Sequence, residues 1–181
     1  MIVKPNAGGK GLGVRRFDTL AEFDAAVAEA GGSIPFTADS ADGITLVQEY
    51  VRPADGRITR AEFVGGRFLY AATVDVTSGS FELCPADACV IDQAGRSIPV
   101  DFERRVGFED HAIVPAYEAF LAATGIEIAG IEFIETADGR LVTYDVNTNT
   151  NYNPAVEAEA PVAGAVAVAR FLGGLLDQSR G

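Results

Sequence analysis

Apolar and polar positions along the chain alternate in some runs and recur at helical spacing in others. Ile2-Val3 opens a short strand that Pro5 ends. Gly8, Gly9, Gly11 and Gly13 punctuate the next turn, and Val14 to Phe17 resume an extended run, so the chain starts as strand, glycine loop, strand. Thr19 and Glu22 have the spacing of a capping box. Leu20, Phe23, Val27 and Ala30 then follow at helical intervals until Gly31-Gly32 stop the helix. Residues 33–43 read as loop. Ile44 to Val51 reads as a strand, and residues 52–56 as a turn and domain boundary.

Beyond that turn, residues 57–64 and 68–76 read as strands joined at Gly65-Gly66, a strong hairpin signal. Residues 77–108 carry no clear period and read largely as loop. Ile113, Val114, Tyr117, Phe120 and Leu121 share one helical face, with Gly125 where a C-cap belongs. Residues 126–135 and 140–147 form a second strand pair about Ala-Asp-Gly, and a helix over about 162–178 closes the chain. Three hairpins among helices predict an α+β fold with antiparallel sheets rather than a doubly wound parallel sheet.

Charge narrows the partners. Across 181 residues, 14 Lys and Arg face 26 Asp and Glu, a formal net charge of −12. So acidic a surface disfavours general binding of nucleic acid or anionic membrane, and any bound anion must meet a local positive cluster. Both lysines, Lys4 and Lys10, flank the glycine loop. Cys84 and Cys89 make neither a disulfide framework nor a four-ligand zinc site. They read as free thiols, with Cys84 a small buried apolar group or a lining of a substrate site. The first residues lack the basic-then-apolar signature of a secretory signal. The apolar stretch 161–176 is too short and mixed to span a membrane, so a cytoplasmic protein is expected.

Four segments carry candidate chemistry. In Val3 to Val14 the glycines let backbone amides approach phosphate oxygens, and Lys4 and Lys10 supply positive charge. No Ser or Thr follows Lys10 and a strand comes next, so this is not a Walker A loop; a plain glycine-rich hairpin is the alternative. Glu132 and, one hairpin later, Asp145 lie on neighbouring strands among apolar residues, with Asn147 two positions on. Two carboxylates and an amide oxygen on one face suit Mg²⁺ beside phosphates; a solvated polar face is the alternative. Gln48, Glu49, Tyr50 and Val51 read alone as a strand end, and Arg60 with Glu62 as a polar strand face. His111 reads as a surface or helix-start residue.

Taken in order, these segments resemble the ATP-grasp superfamily, from Val3 to about Asn153. The likeness is greatest to ligases of the glutathione synthetase and ribosomal-protein glutamate ligase type. The resemblance implies that Lys4 meets the nucleotide phosphates and that Gly8, Gly9, Lys10 and Gly11 form the flexible lid loop. It implies that Gln48 to Val51 read adenine through their backbone. Arg60 and Lys10 would act on the transferred phosphate, and Glu132, Asp145 and Asn147 would hold Mg²⁺, or Mn²⁺ in its place. The thirteen-then-two spacing of that triad is its most specific element. The likeness covers the C-terminal two-thirds of the family fold, with residues 1–51 as a partial lid and 52–181 as the core. The preceding domain of such enzymes, on the order of a hundred residues, is not part of it. Two departures stand out. Ile58 occupies the place of an Asp found in some relatives. Thr148 to Pro154 replace the usual Pro-Gly turn after the metal asparagine, which leaves acceptor recognition open. The implied activity is ATP-dependent carboxylate–amine ligation through an acyl phosphate, on small-molecule or peptide substrates, with room for a homo-oligomer. A non-catalytic or truncated nucleotide-binding module is the alternative.

Overall fold

In the computed structural model, residues 1–7, 13–32, 40–77, 89–91, 97–99 and 102–180 are described. Gly8, Gly9, Lys10, Gly11 and Cys84 lie outside them. The chain divides into two compact units that part between Arg52 and Pro53.

The first unit is a three-stranded sheet in the order β2-β1-β3, with β1 Ile2–Pro5, β2 Arg15–Arg16 and β3 Thr45–Gln48. β1 is central and Val3 is fully buried. The strand expected over 44–51 is shorter than its apolar pattern, since Glu49 to Val51 leave the ladder. Helix α1, Leu20–Glu29, is capped at Thr19, whose Oγ1 accepts from the Glu22 amide at 3.2 Å. Glu22 in turn accepts from the Asp18 amide at 2.9 Å. Gly31 and Gly32, both at positive φ, end it. Among the described residues the helix buries none of its side chains, and Leu20 is 62% exposed. The periodicity located the helix without locating a buried face.

The second unit is built on β4 Arg57–Val64, β5 Arg67–Asp75, the pair β6 Cys89–Ile91 and β7 Ser97–Pro99, β8 Phe102–Arg104, β9 Ile128–Glu135 and β10 Leu141–Asn147. Five of these strands form one antiparallel sheet in the order β10-β9-β4-β5-β8. Gly65 and Gly66 have φ of 63° and 68°, the geometry a two-residue hairpin needs for its twist to match the strands. β6, β7 and β8 fall in the stretch 77–108 that reads largely as loop, each too short to show a period, and a 3-10 turn at Phe108–Asp110 follows.

One sheet face packs on helix α2, Ile113–Thr124. Ala61, Phe63, Ala71, Ala129, Ile131 and Phe133 meet Val114, Tyr117 and Leu121, with Phe108 closing the cluster. Phe63 and Tyr117 meet edge to face at 6.1 Å. Each of the larger apolar side chains, such as Phe63, Leu121, Ile131 and Phe133, contributes about 1.5–3 kcal/mol through burial. His111 starts the helix: its Nδ1 accepts from the Ile113 amide at 3.2 Å and its ring stacks on Phe108.

The expected C-terminal helix is present as α4, Gly164–Gln178, and a short helix not expected from the sequence, α3 Pro154–Glu159, precedes it. Asn153 caps α3, accepting from the Ala155 and Val156 amides, with Pro154 in its first turn. Val156 is buried beside Tyr70 and Ala72 on the opposite sheet face. Among the described residues no helix is long and apolar enough to cross a membrane.

Candidate active site

The site is a consequence of strand register. Arg60 on β4 stands opposite Glu132 on β9, and Glu132 stands opposite Asp145 on β10. In the next row Glu62 faces Gly130, and Gly130 faces Asn147. The row through Arg60 continues to Ala72 on β5 and Arg104 on β8. The core residues Ala61, Ile131 and Phe133 alternate with these and point to α2.

Strict alternation would not produce this row. Leu141, Val142 and Thr143 pair with Glu135, Ile134 and Phe133, a register that would place Asp145 opposite Ile131 and turn it towards the core. A β-bulge at Tyr144 inserts one extra residue and shifts Asp145 to Glu132. Thr143, on the near side of the bulge, faces α2 and bonds Tyr117 at 2.7 Å. Tyr144 is used as well: its hydroxyl donates to Glu132 Oε2 at 2.9 Å.

Arg60 is held by three partners. Its Nε donates to Glu62 at 2.6 Å, Nη1 to Glu132 at 2.9 Å and Nη2 to Thr150 at 2.6 Å. The side chains of Arg60, Glu62 and Glu132 are 11%, 4% and 10% exposed, so these charges interact with little screening. Burial opposes the charge on Arg60, but Glu62 and Glu132 more than offset it and hold the guanidinium protonated. Burial pushes the Glu132 carboxyl up, against the pull of Arg60, and Asp145 pushes it further. Burial likewise pushes the Tyr144 phenol well up, and Glu132 adds to it.

The residues fit a divalent cation. Buried Glu62 and Glu132 bring two carboxylates to one guanidinium, and half-buried Asp145 stands opposite Glu132, so the cluster carries an excess of negative charge. Asn147 Nδ2 donates to Asp145 at 2.9 Å and lies 3.5 Å from Glu132. A half-turn of that amide exchanges its nitrogen for an oxygen, completing a hard-oxygen set of two carboxylates and one amide. Among the described residues no three of His, Cys, Asp or Glu are grouped to hold a metal ion, and this set combines two carboxylates with an amide.

The first unit carries the other sequence candidates. Lys4 is half-buried on β1, opposite Leu46. Gln48 ends β3 opposite Ile2. Glu49 is exposed, and Tyr50 lies under the guanidinium groups of Arg16 at 4.7 Å and Arg52 at 5.6 Å.

Four residues of the second unit were not singled out by sequence. Gly130, a glycine inside a strand, signals close approach by another group. Tyr144 breaks the alternation just before Asp145. Thr150 has no local signal. Arg104 lies on a strand too short to read, and its buried Nε has no partner among the described residues.

This architecture is the ATP-grasp fold. It matches D-alanyl-alanine synthetase A from Vibrio cholerae O1 biovar eltor strain N16961 with a TM-score of 0.61 at 16% identity, covering 94% of this chain and 52% of that one. It matches the D-cycloserine synthetase DcsG with a TM-score of 0.60 at 20% identity, covering 97% and 55%. It also matches the ATP-grasp ligase PsnB, in complex with a phosphomimetic variant of its minimal precursor, Mg and ADP, with a TM-score of 0.56 at 15% identity, covering 93% and 44%. In sequence, the chain is similar to D-alanine–D-alanine ligase A of Brucella suis biovar 1 (strain 1330). The two are 28% identical over 149 residues, which are 82% of this chain and 40% of the relative. The chain thus spans about two fifths of the curated relative that it matches. No protein-family profile matches the sequence.

Proposed function

We propose that this chain is the ATP-binding and catalytic part of an ATP-dependent carboxylate–amine ligase. The observation that carries the reading is the convergence of Arg60, Glu132, Asp145 and Asn147 on one sheet face with an excess of negative charge. The sequence similarity to a D-alanine–D-alanine ligase supports an amino acid or short peptide as the carboxylate substrate. It does not favour the glutathione synthetase or ribosomal-protein glutamate ligase branch over other ATP-grasp ligases.

In this reading Glu132, Asp145 and Asn147 hold Mg²⁺. The bound metal neutralises charge on the β- and γ-phosphates. Arg60 uses three of its five N–H groups on the protein and turns the rest to the γ-phosphate. Arg104 would add positive charge, and the resemblance would assign Lys4, Lys10, Gly8, Gly9 and Gly11 to the phosphates and Gln48 to Val51 to adenine. A substrate carboxylate oxygen attacks the γ-phosphorus as its bond to the bridging oxygen breaks, giving an acyl phosphate and ADP. The amine then attacks the acyl carbon, phosphate leaves, and a proton is lost from nitrogen. No protein side chain is required as nucleophile.

The test is to incubate the full-length protein with ATP, Mg²⁺ and a panel of amino acids and short peptides. ADP and phosphate formed only with a carboxylate present support the ligase. AMP with pyrophosphate would overturn the mechanism. Nucleotide binding without turnover would leave the non-catalytic module.

A further inference from the structure

The Thr150 hydroxyl accepts from Arg60 Nη2 at 2.6 Å and donates to Glu62 Oε2 at 2.7 Å. Arg offers no acceptor and a hydroxyl has one proton, so these directions are unambiguous. Glu62 Oε1 accepts directly from Arg60 Nε at 2.6 Å. Arg60 and Glu62 would otherwise form a two-pronged pair, Nε and Nη2 onto the two carboxylate oxygens. Thr150 is inserted into one prong. One arm of the fork is direct and the other is spaced by an oxygen atom, while Nη1 reaches Glu132 on the neighbouring strand at 2.9 Å.

Thr150 comes from neither strand. It lies 90 residues from Arg60, on the segment between β10 and α3. That segment is anchored at both ends. Asn147 bonds Asp145, and Asn153 caps α3, whose Glu157 accepts from Tyr70 on β5 at 2.7 Å. Thr150 is therefore held in place independently of the arginine it touches.

We propose that Thr150 is a positioning residue for Arg60. As a spacer it keeps the guanidinium fork from closing on Glu62, so that the outer N–H groups stay aimed at Glu132 and at the reacting phosphate. The second half of this statement rests on the ligase reading; the first does not. Without the hydroxyl, the fork closes on Glu62 and the Nη1 contact with Glu132 is lost.

The test uses Thr150→Val, which keeps the shape and removes the hydroxyl, and Thr150→Ser, which restores it, in the full-length protein. Two quantities are read: kcat and KM for ATP in ADP formation, and solvent exchange of the Arg60 side-chain N–H signals by ¹⁵N NMR without nucleotide. For Thr150→Val, a group acting in the transition state predicts kcat down about tenfold with KM for ATP within about twofold. Exchange of the Arg60 Nη1–H should rise, and Thr150→Ser should return both readings towards wild type. A Thr150→Val protein with wild-type kcat or with unchanged Arg60 exchange overturns the proposal. If that variant does not fold, Thr150→Ala goes through the same measurements. If the wild-type protein forms no ADP with any carboxylate, the ligase reading fails, and Arg60 exchange alone decides the role of Thr150.

Discussion

Gly130 has no side chain where the guanidinium of Arg60 lies. A Cβ built on Gly130 would stand 2.7 Å from Nη2, 2.9 Å from Nε and 3.0 Å from Cζ of Arg60. The glycine therefore serves the arginine rather than the strand, whose backbone there is ordinary. Gly130→Ala should leave the fold intact, because the clashing atoms end a flexible side chain, but Arg60 must move. Overpacking of this kind costs about 1–3 kcal/mol, and ADP formation should fall roughly tenfold or more as Arg60 is displaced. Urea unfolding and a turnover assay check the two effects separately; wild-type turnover would show that Arg60 is not needed where it lies.

Asp145→Asn removes a charge from the proposed metal set without changing volume. Mn²⁺ affinity, measured by electron paramagnetic resonance or calorimetry on the full-length protein, should drop at least about tenfold, as expected for the loss of one charged ligand. Thermal unfolding without metal should shift little or upwards, since the excess negative charge is relieved. Unchanged metal affinity would remove Asp145 from the set.

Tyr144→Phe deletes the hydroxyl that donates to buried Glu132. Leaving a buried carboxylate one donor short costs about 1–3 kcal/mol. Equilibrium unfolding in urea should register a lower midpoint with an unchanged slope. A midpoint equal to wild type would mean that water replaces the phenol without loss.

Asp42 gives a pH test within the first unit. Ser40 Oγ donates to it at 2.5 Å, Asn6 Nδ2 at 2.7 Å and the Ile44 amide at 3.0 Å, which together lower its carboxyl to about 2. The folded value lies below the unfolded one. The contribution of Asp42 to stability is therefore complete above about pH 4 and is lost as pH falls through about 2. A carboxyl ¹³C titration should show this midpoint, and Ser40→Ala should raise it towards the ordinary aspartate value. An unshifted midpoint in the wild-type protein would refute the hydrogen-bond assignment.

The hairpins were legible because their signals are local. Gly65-Gly66 sets a turn by itself, and the Gly125 cap and Thr19–Glu22 box act within a few residues. The convergence of Glu132 with Asp145 was expected from their flanking residues, but its cause was not visible. The cause is an irregular pairing at Tyr144, decided by how β10 meets β9 and by where Thr143 must point to reach Tyr117. Thr150 was invisible for a different reason: its meaning lies in contacts with residues about 90 positions away. The helix after Asn153 had its signal, an Asn-Pro start, but is shorter than two turns and shows no amphipathic period.

The bulge at Tyr144 separates two kinds of freedom in one hairpin. On its turn side, the loop at Thr136–Arg140 can gain or lose residues while β10 beyond the bulge keeps its pairing. On its far side nothing can slip. Deleting Tyr144 would remove the bulge and leave Asp145 opposite Glu132, whereas pairing Tyr144 regularly with Glu132 would set Asp145 opposite Ile131, send Asp145 and Asn147 towards the apolar layer, and bring Val146 to the polar face in their stead. In that second register the protein would retain every residue of its proposed metal set and lose the set. Length variation among descendants of this sequence should therefore collect at the loop and stop beyond residue 144, a boundary drawn by parity rather than by chemistry.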